Sequence, residues 1–407
     1  KEIFKESINC FNQPIEEYIK ENYYNSIHRC DINCFHLQSY NFIFDEEVSN
    51  DQLKDLFFTF VQYDYPYFID YFLQNKIDGF VNEYLPEIKD DDNDFVDYTP
   101  LIYSCDKEYY DVVDILLKFN NIDVNKLSRT ILGVKKTALN ISIERENIKI
   151  IKRLIDKDET DVNISSTQEY KNDDFDKYMI SSSLFIAVKK GNKEIIKILL
   201  NQRYIDVNFV NKINFFDIKN ISYIQDEEMT SLYYAVIHKN YEIVKLLLKR
   251  NDIELNNTNR NHYVDETCLY HAVEAKNHEM FNLLLTKNNI DLNLRAKNGK
   301  KTVLFCAIDN NDMEIIKVLL SRKTIDVNFT SYIGDMSKTP LYYSVLENNI
   351  EVFKLLLAHP NINVNALNDA KILHSITREK FNNNFELSEN PQGRLYVKQT
   401  VLHLAVD

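Results

Sequence analysis

Glycine is scarce and tryptophan is absent: 6 of the 407 residues are Gly and none is Trp. Average usage puts Gly near ~7% of a chain. A glycine-rich loop whose backbone N–H groups close around a phosphate therefore has little to be built from, and neither Gly-x-x-x-x-Gly-Lys nor Gly-x-Gly-x-x-Gly occurs. Cysteine is equally sparse, with six residues unevenly placed at 10, 30, 34, 105, 268 and 306. Such spacing makes no disulfide framework, so a reducing, intracellular and cytoplasmic setting is the expected one. No window approaches about 18 consecutive apolar residues, and the chain opens on Lys1 instead of a charged-then-apolar leader, so no membrane insertion is expected. Positive charge is also in deficit, with 48 Lys and Arg against 62 Asp and Glu and a net charge of -14. Without a local basic stripe that balance repels phosphate backbones, and nucleic acid is not an expected partner.

What the chain does have is apolar mass: 44% hydrophobic and 12% aromatic residues, which disfavours disorder. The surplus of Asn, Lys, Ile, Tyr and Phe over Gly, Ala, Pro and Trp matches the codon bias of an AT-rich genome. It also has a phrase that recurs. Ser182, Leu184, Ala187, Ile195, Ile196, Leu199, Leu200 and Ile205 to Asn208 return as Thr302, Leu304, Ala307, Ile315, Ile316, Leu319, Leu320 and Ile325 to Asn328. Anchored on its first Leu, the phrase falls at Leu101, Leu139, Leu184, Leu232, Leu269, Leu304, Leu341 and Leu402. Self-similarity at a period of a few tens of residues points to a stacked array, which grows by adding units and needs no single large core.

Each unit can be read physically. Thr or Ser two residues before the Leu suits a helix N-cap, and Pro100 and Pro340 sit where a first helical residue tolerates a missing N–H. A small residue three after the Leu, such as Ser104, Ala187 or Ala307, lets a second helix approach closely. That second helix places Ile243, Val244, Leu247 and Leu248 on one face, with Glu242 and Lys245 turned outward. Ile-Asp-Val-Asn or a variant closes the unit at Asn125, Asn163, Asn208, Asn256, Asn293, Asn328 and Asn365, where the Asn is expected to shape the turn by local hydrogen bonds.

Thr400, Val401, Leu402, His403, Leu404 and Ala405, together with Thr339, Pro340 and Leu341, resemble the ankyrin repeat phrase Thr-Pro-Leu-His-x-Ala. The resemblance implies an all-α solenoid of stacked helix-turn-helix units with hairpin fingers. Ile102, Asn140, Phe185, Tyr233, Tyr270, Phe305 and Tyr342 replace the family His, so the family's His-mediated hydrogen bonding is not expected at those positions, while the fold is. The array covers residues 51–407 in roughly seven to nine units, the last one truncated. A degenerate copy begins it, with Phe57, Phe60, Val61, Phe68, Ile69, Phe72, Leu73 and Asn82 at the repeat positions, and Phe60 in the small-residue place predicts a splayed pair. Residues 1–50 read as a divergent N-terminal helical cap or degenerate repeat.

The gap from closing Asn to capping Thr is where the units differ. It is short from Asn293 to Thr302 and far longer from Asn208 to Thr230 and from Asn365 to Thr400. Insertions at one structural place decorate one edge of a solenoid, and that edge often binds. The aromatic residues Tyr170, Phe175 and Tyr178 in one insertion, and Phe215, Phe216 and Tyr223 in the next, are candidate anchors; packing of one finger on another is the alternative. In the family, partners are also gripped at the solvent end of the first helix. The matching positions here are Lys189 and Lys190, Ile237 and His238, Glu274 and Ala275, Asp309 and Asn310, and Leu346 and Glu347, which share no common chemistry.

Chemistry of other kinds finds little support. His28, Cys30, Cys34 and His36 have the ligand types of a zinc site, but four ligands within nine residues would strain a tetrahedral shell, and no metal is expected there. Acidic residues fall on outward helix positions or loops, and His238, His262, His271, His278, His359 and His374 have no partner at motif spacing. No catalytic residue and no cofactor is expected, and the chain reads as a monomeric scaffold or adaptor for protein partners rather than an enzyme. The competing class is a substrate-recruiting region of a larger enzyme or effector. By resemblance to the family, Asn163, Asn208 and Asn328 also match the position that asparaginyl hydroxylases modify.

Overall fold

The structure, a computed structural model, describes residues 50–366 apart from short stretches at 76, 86–87, 89–94, 131–132, 172–174, 218–221, 262–263, 296–300 and 334–335, and beyond them only strands 368–371, 386–389 and 395–399. The expected cap over residues 1–49, His28, Cys30, Cys34 and His36, and the truncated unit at 400–407 lie outside the described residues.

Among the described residues, sixteen helices form eight helix-turn-helix pairs. They are α1 (Asn50–Gln62) with α2 (Pro66–Gln74), α3 (Pro100–Asp106) with α4 (Tyr110–Leu116), α5 (Ala138–Glu144) with α6 (Ile148–Ile155), and α7 (Ser183–Lys190) with α8 (Lys193–Leu200). Then follow α9 (Ser231–Ile237) with α10 (Tyr241–Leu247), α11 (Cys268–Glu274) with α12 (His278–Leu284), α13 (Val303–Asp309) with α14 (Met313–Leu320), and α15 (Pro340–Leu346) with α16 (Ile350–Leu357). First helices stack on first helices and second on second, so the core is a continuous seam running the length of the array. Each anchor Leu from Leu101 to Leu341 is at most 2% exposed, which is why the repeat phrase is spelled around it.

From α3 onward the first helices start on the expected capping residue. The side chains of Thr99, Thr137, Ser182, Thr230, Thr267 and Thr339 accept a hydrogen bond from the backbone N–H three residues on, while Thr302 holds the same place without that bond. From α6 onward the start of each second helix carries a device that the repeat phrase does not announce, which α2 and α4 lack at Tyr65 and Tyr109. Asn147, Asn192, Asn240, Asn277, Asp312 and Asn349 cap it in the same way. The residue before each cap turns the chain through the left-handed region. Gly191 does so at φ 78°, but Glu146, Lys239, Lys276, Asn311 and Asn348 do so at 58°, 54°, 49°, 51° and 51° despite their side chains. In the first pair Phe60 stacks on Phe68 at 4.5 Å between ring centroids, filling the space between helices with an aromatic pair where other units carry a small residue.

The closing Asn does not act as expected. Its hydrogen bonds run to the next repeat, not to its own turn. Asn125 Nδ2 donates to Glu159 O at 2.7 Å, and Asn125 Oδ1 accepts from Asp161 N at 2.9 Å. The same pair of bonds recurs at Asn82, Asn163, Asn208, Asn256, Asn293 and Asn328, each to the unit that follows. The local turn belongs to the Asp of the phrase, whose carboxylate accepts from the N–H of the Asn two residues later, as Asp206 does from Asn208 at 3.0 Å. An amide has one donor arm and one acceptor arm, which suits it to bridge two backbone groups at once.

The finger insertions are not loose loops. Strands β1 (Val96–Asp97) and β2 (Arg129–Thr130) pair between the first fingers. After them, β3 (Ser166–Lys171) and β4 (Phe175–Ser181), β5 (Asn211–Asp217) and β6 (Ser222–Met229), and β7 (Asn259–Asn261) and β8 (Val264–Glu266) form three hairpins. These join edge to edge in one antiparallel sheet of order β3-β4-β5-β6-β7-β8, with β4 paired to β5 over six residue pairs from Phe175–Asp217 to Ile180–Lys212. Neighbouring insertions thus satisfy one another's backbone groups. The base of a finger is pinned as well. Asn211, fully buried, accepts from Ser182 N at 2.8 Å and donates to Met229 O at 3.0 Å, and Asn259 accepts from Thr230 N at 2.8 Å.

Candidate functional site: the groove beneath the finger sheet

The first hairpin of the sheet stands over the exposed ends of α5 and α7 and encloses a groove of about 620 Å³. Tyr98, Ile141, Phe185, Ile186 and Met179 supply its apolar lining; Gln168, Ser166 and Ser181 add hydrogen-bonding groups from the strands. Most of its charge is matched internally. Arg145 Nη2 lies 2.7 Å from Asp106 Oδ1, and Lys136 Nζ lies 2.7 Å from Glu144 Oε2. Lys189 and Lys190, at the end of α7, are exposed and have no acidic partner among the described residues. The groove therefore presents two cations unmatched among the described residues beside an apolar floor, in a chain whose net charge is -14.

The other expected contact residues fall in different surroundings. Tyr178 is 36% exposed on β4, its backbone facing Glu169 and Asn214. Tyr170, Phe175, Phe215, Phe216 and Tyr223 have backbone in the sheet, with Phe216 opposite Tyr223, but their side chains lie outside the described residues. Ile237 is half-buried, and His238 stacks its ring on Tyr234 at 4.0 Å. Asp309 pairs with Lys301, and Asn310 Nδ2 donates to Val273 O at 2.9 Å, so both are engaged within the array. Leu346 and Glu347, at the end of α15, are exposed. Lys189 and Lys190 are thus the expected first-helix pair that the groove draws together.

Two of the histidines that have no partner at motif spacing in the sequence find one in the fold. His271 Nδ1 lies 2.9 Å from Glu266 Oε1, across the junction of β8 and α11. Glu266 is 3% exposed and also accepts from the Tyr233 hydroxyl of the preceding repeat, while its Oε2 is buried without a hydrogen-bond partner among the described residues. Glu274, one helical turn from His271, has its carboxyl pushed above the usual range by burial of its inner side and then by the Glu266 charge. His278 Nε2 lies 2.6 Å from Asp312 Oδ2, and its Nδ1 lies 2.9 Å from Glu314 Oε2. Glu266 and Asp312, at 3% and 8% exposure, depart from the expectation that acidic residues face outward. The spacing hid these contacts because the His278 partner stands in the next repeat and the Glu266 partner arrives by way of a finger.

The thiols are where the repeat places them. Cys105, Cys268 and Cys306 are free and buried, and burial pushes each up to about 12, far from reactivity at neutral pH. No helix among the described residues is long and apolar enough to cross a membrane.

Stacked helix pairs, fingers on one edge and a groove beneath them define a solenoid of the kind that presents a surface to other proteins. A sequence model of ankyrin repeats in three copies matches residues 61–166, 170–259, 232–332 and 269–368, and the chain belongs to the ankyrin repeat family. No curated protein matches it. Among solved structures it is similar to the ankyrin repeat domain of Bcl-3, described as a unique member of the IkappaB protein family, at 17% identity and a TM-score of 0.44, covering 65% of this chain and 96% of that one. Ankyrin repeats in general are modules for protein–protein interaction.

Proposed function

We propose that the chain is a protein-binding scaffold or adaptor that seats an acidic segment of its partner in the groove between α5, α7 and the β3–β4 hairpin. The observation that carries this reading is the pair of exposed cations, Lys189 and Lys190, without an acidic partner among the described residues and set beside apolar residues under a wall of paired strands. A partner carboxylate would find charge there, and its neighbouring side chains would find Ile186 and Met179. The net charge of -14 favours a protein over a nucleic acid as the occupant. The three cysteines among the described residues are free, buried thiols, which suits action inside a cell, and the chain is read as working as a monomer.

The test is capture from an extract of the source cells by wild type and by Lys189→Glu/Lys190→Glu. The principal partner is expected to be lost by the double variant while its far-ultraviolet circular dichroism is unchanged. Full retention of that partner would defeat the groove as its seat. Shortening the β5–β6 hairpin within residues 213–227, which leaves the Asn211 pin in place, should also weaken capture by unpairing β4 from β5.

A further inference from the structure

We propose that Glu266, His271 and Glu274 form a binding site for one divalent transition-metal ion of the zinc type, with Tyr233 holding the Glu266 carboxylate. Their ligand atoms all lie within 4.8 Å of one another. A tetrahedral ion with bonds near 2.0–2.1 Å needs its ligand atoms about 3.3 Å apart, so closure from a spread of up to 4.8 Å asks for a movement of up to about 1.5 Å. Glu274 is exposed on its outer side and can supply that movement by a change of rotamer.

The three donors come from two directions. His271 and Glu274, three apart on α11, share one face of the helix. Glu266 is delivered to that face by the end of β8, just before the Thr267 cap. Its Oε1 is occupied by Tyr233 and His271, yet its Oε2 is buried with no hydrogen-bond partner among the described residues. A buried, unpartnered carboxylate oxygen costs free energy that a cation would recover. Tyr233 donates to the same carboxylate from the preceding repeat and stands edge-on to the His271 ring at 5.9 Å, the kind of outer contact that fixes a ligand's orientation.

The donor set selects the ion. One imidazole and two carboxylates suit zinc and its neighbours, whereas calcium and magnesium ask for six or more oxygens. Three protein ligands leave a position open to solvent on the Glu274 side. Bound there, the ion would neutralise two adjacent carboxylates and tie β8 to α11, with Tyr233 extending the tie to the repeat before.

Titration of the full chain with Co2+, followed by visible absorption, tests the site directly. Wild type is expected to take up one ion with a visible band and no near-ultraviolet thiolate band, which separates this site from any ion held by cysteine. Glu274→Gln and His271→Asn, checked for unchanged circular dichroism, are expected to lose that ion. Tyr233→Phe is expected to weaken uptake by about tenfold or more through the loosened Glu266. No uptake by wild type, uptake with a thiolate band alone, or equal uptake by wild type and both ligand variants would overturn the proposal.

Discussion

Asn163 and Asp206 stand 43 residues apart in sequence, yet the Asn163 side-chain oxygen accepts from the Asp206 backbone N–H at 2.8 Å. The amide's other arm donates to Tyr204 O at 2.7 Å, so one side chain fixes where the next repeat begins its closing turn. Asn163→Ala removes both bonds and is expected to destabilise the array by about 1–2 kcal/mol, the range for two partly solvated hydrogen bonds. Urea denaturation measures it. A shift within about 0.5 kcal/mol, that of an ordinary surface substitution, would show that these bonds do not hold neighbouring units together.

Asp312 serves two repeats. Its Oδ1 accepts from Ile315 N at 3.1 Å to cap α14, and its Oδ2 lies 2.6 Å from His278 Nε2 on α12. The hydrogen bond to Asp312, ahead of the Asp312 and Glu314 charges, holds the His278 imidazole above its usual pKa of 6.5. A raised histidine pKa means that the folded state binds the proton more tightly than the unfolded state. Its contribution is therefore fully present below about pH 6.5 and is lost as the pH rises through the folded value. Because the His278 side chain is 39% exposed, solvent screening limits the effect to well under ~1 kcal/mol. His278→Gln should flatten that part of the stability profile. Asp312→Asn should flatten it too while keeping the cap, and Asp312→Ala should lose about 1 kcal/mol more than Asp312→Asn. Identical pH profiles for His278→Gln and wild type would remove the pair from the account.

The helical frame was legible because its causes are local: a Thr or Ser cap, a Leu to bury and a second helix at fixed spacing all lie within one unit. The closing Asn was legible as a recurring position and misread in its action, since Asn125 and Glu159 are in different units and spacing within a phrase cannot show a bond between phrases. The finger sheet was legible only as a set of long insertions. Whether Phe175 faces Asp217 depends on the stack bringing two fingers side by side, a fact of the solenoid and not of either segment. At the groove, Lys189 and Lys190 followed from the repeat register. Glu266 did not, because it lies in a finger and reaches α11 only through the strand that ends there.

Left-handed turns between paired helices carry a cost that the scarcity of glycine leaves in place. Lys239 and Lys276 hold φ of 54° and 49°, where a side chain on Cβ is disfavoured. Lys239→Gly and Lys276→Gly are each expected to stabilise the array by about 0.5–1 kcal/mol, the relief of strain exceeding the added freedom of the unfolded chain. Gly191→Ala is the reciprocal case. A Cβ there would meet nothing within 4 Å, so its expected cost of about 1 kcal/mol is purely conformational at φ 78°. Thermal unfolding checks all three, and a destabilised Lys276→Gly would show that the lysine side chain supplies more than its backbone strain removes.

Asn211 ties the finger sheet to the helices. It is fully buried, accepts from the capping residue Ser182 through the backbone N–H, and donates to Met229 O at the far end of its own hairpin. Asn211→Ala would leave the Ser182 N–H and the Met229 carbonyl unpaired away from water, at an expected cost of about 2–4 kcal/mol for two buried groups. Asn211→Asp keeps the acceptor for Ser182 and loses only the donor, so its cost should fall between wild type and Asn211→Ala. Amide hydrogen exchange gives the sharper measurement, because loss of the acceptor should speed exchange at Ser182 in Asn211→Ala while leaving the α8 amides slow. Unchanged protection at Ser182 in that variant would mean that the strand bonds alone hold the finger to the stack.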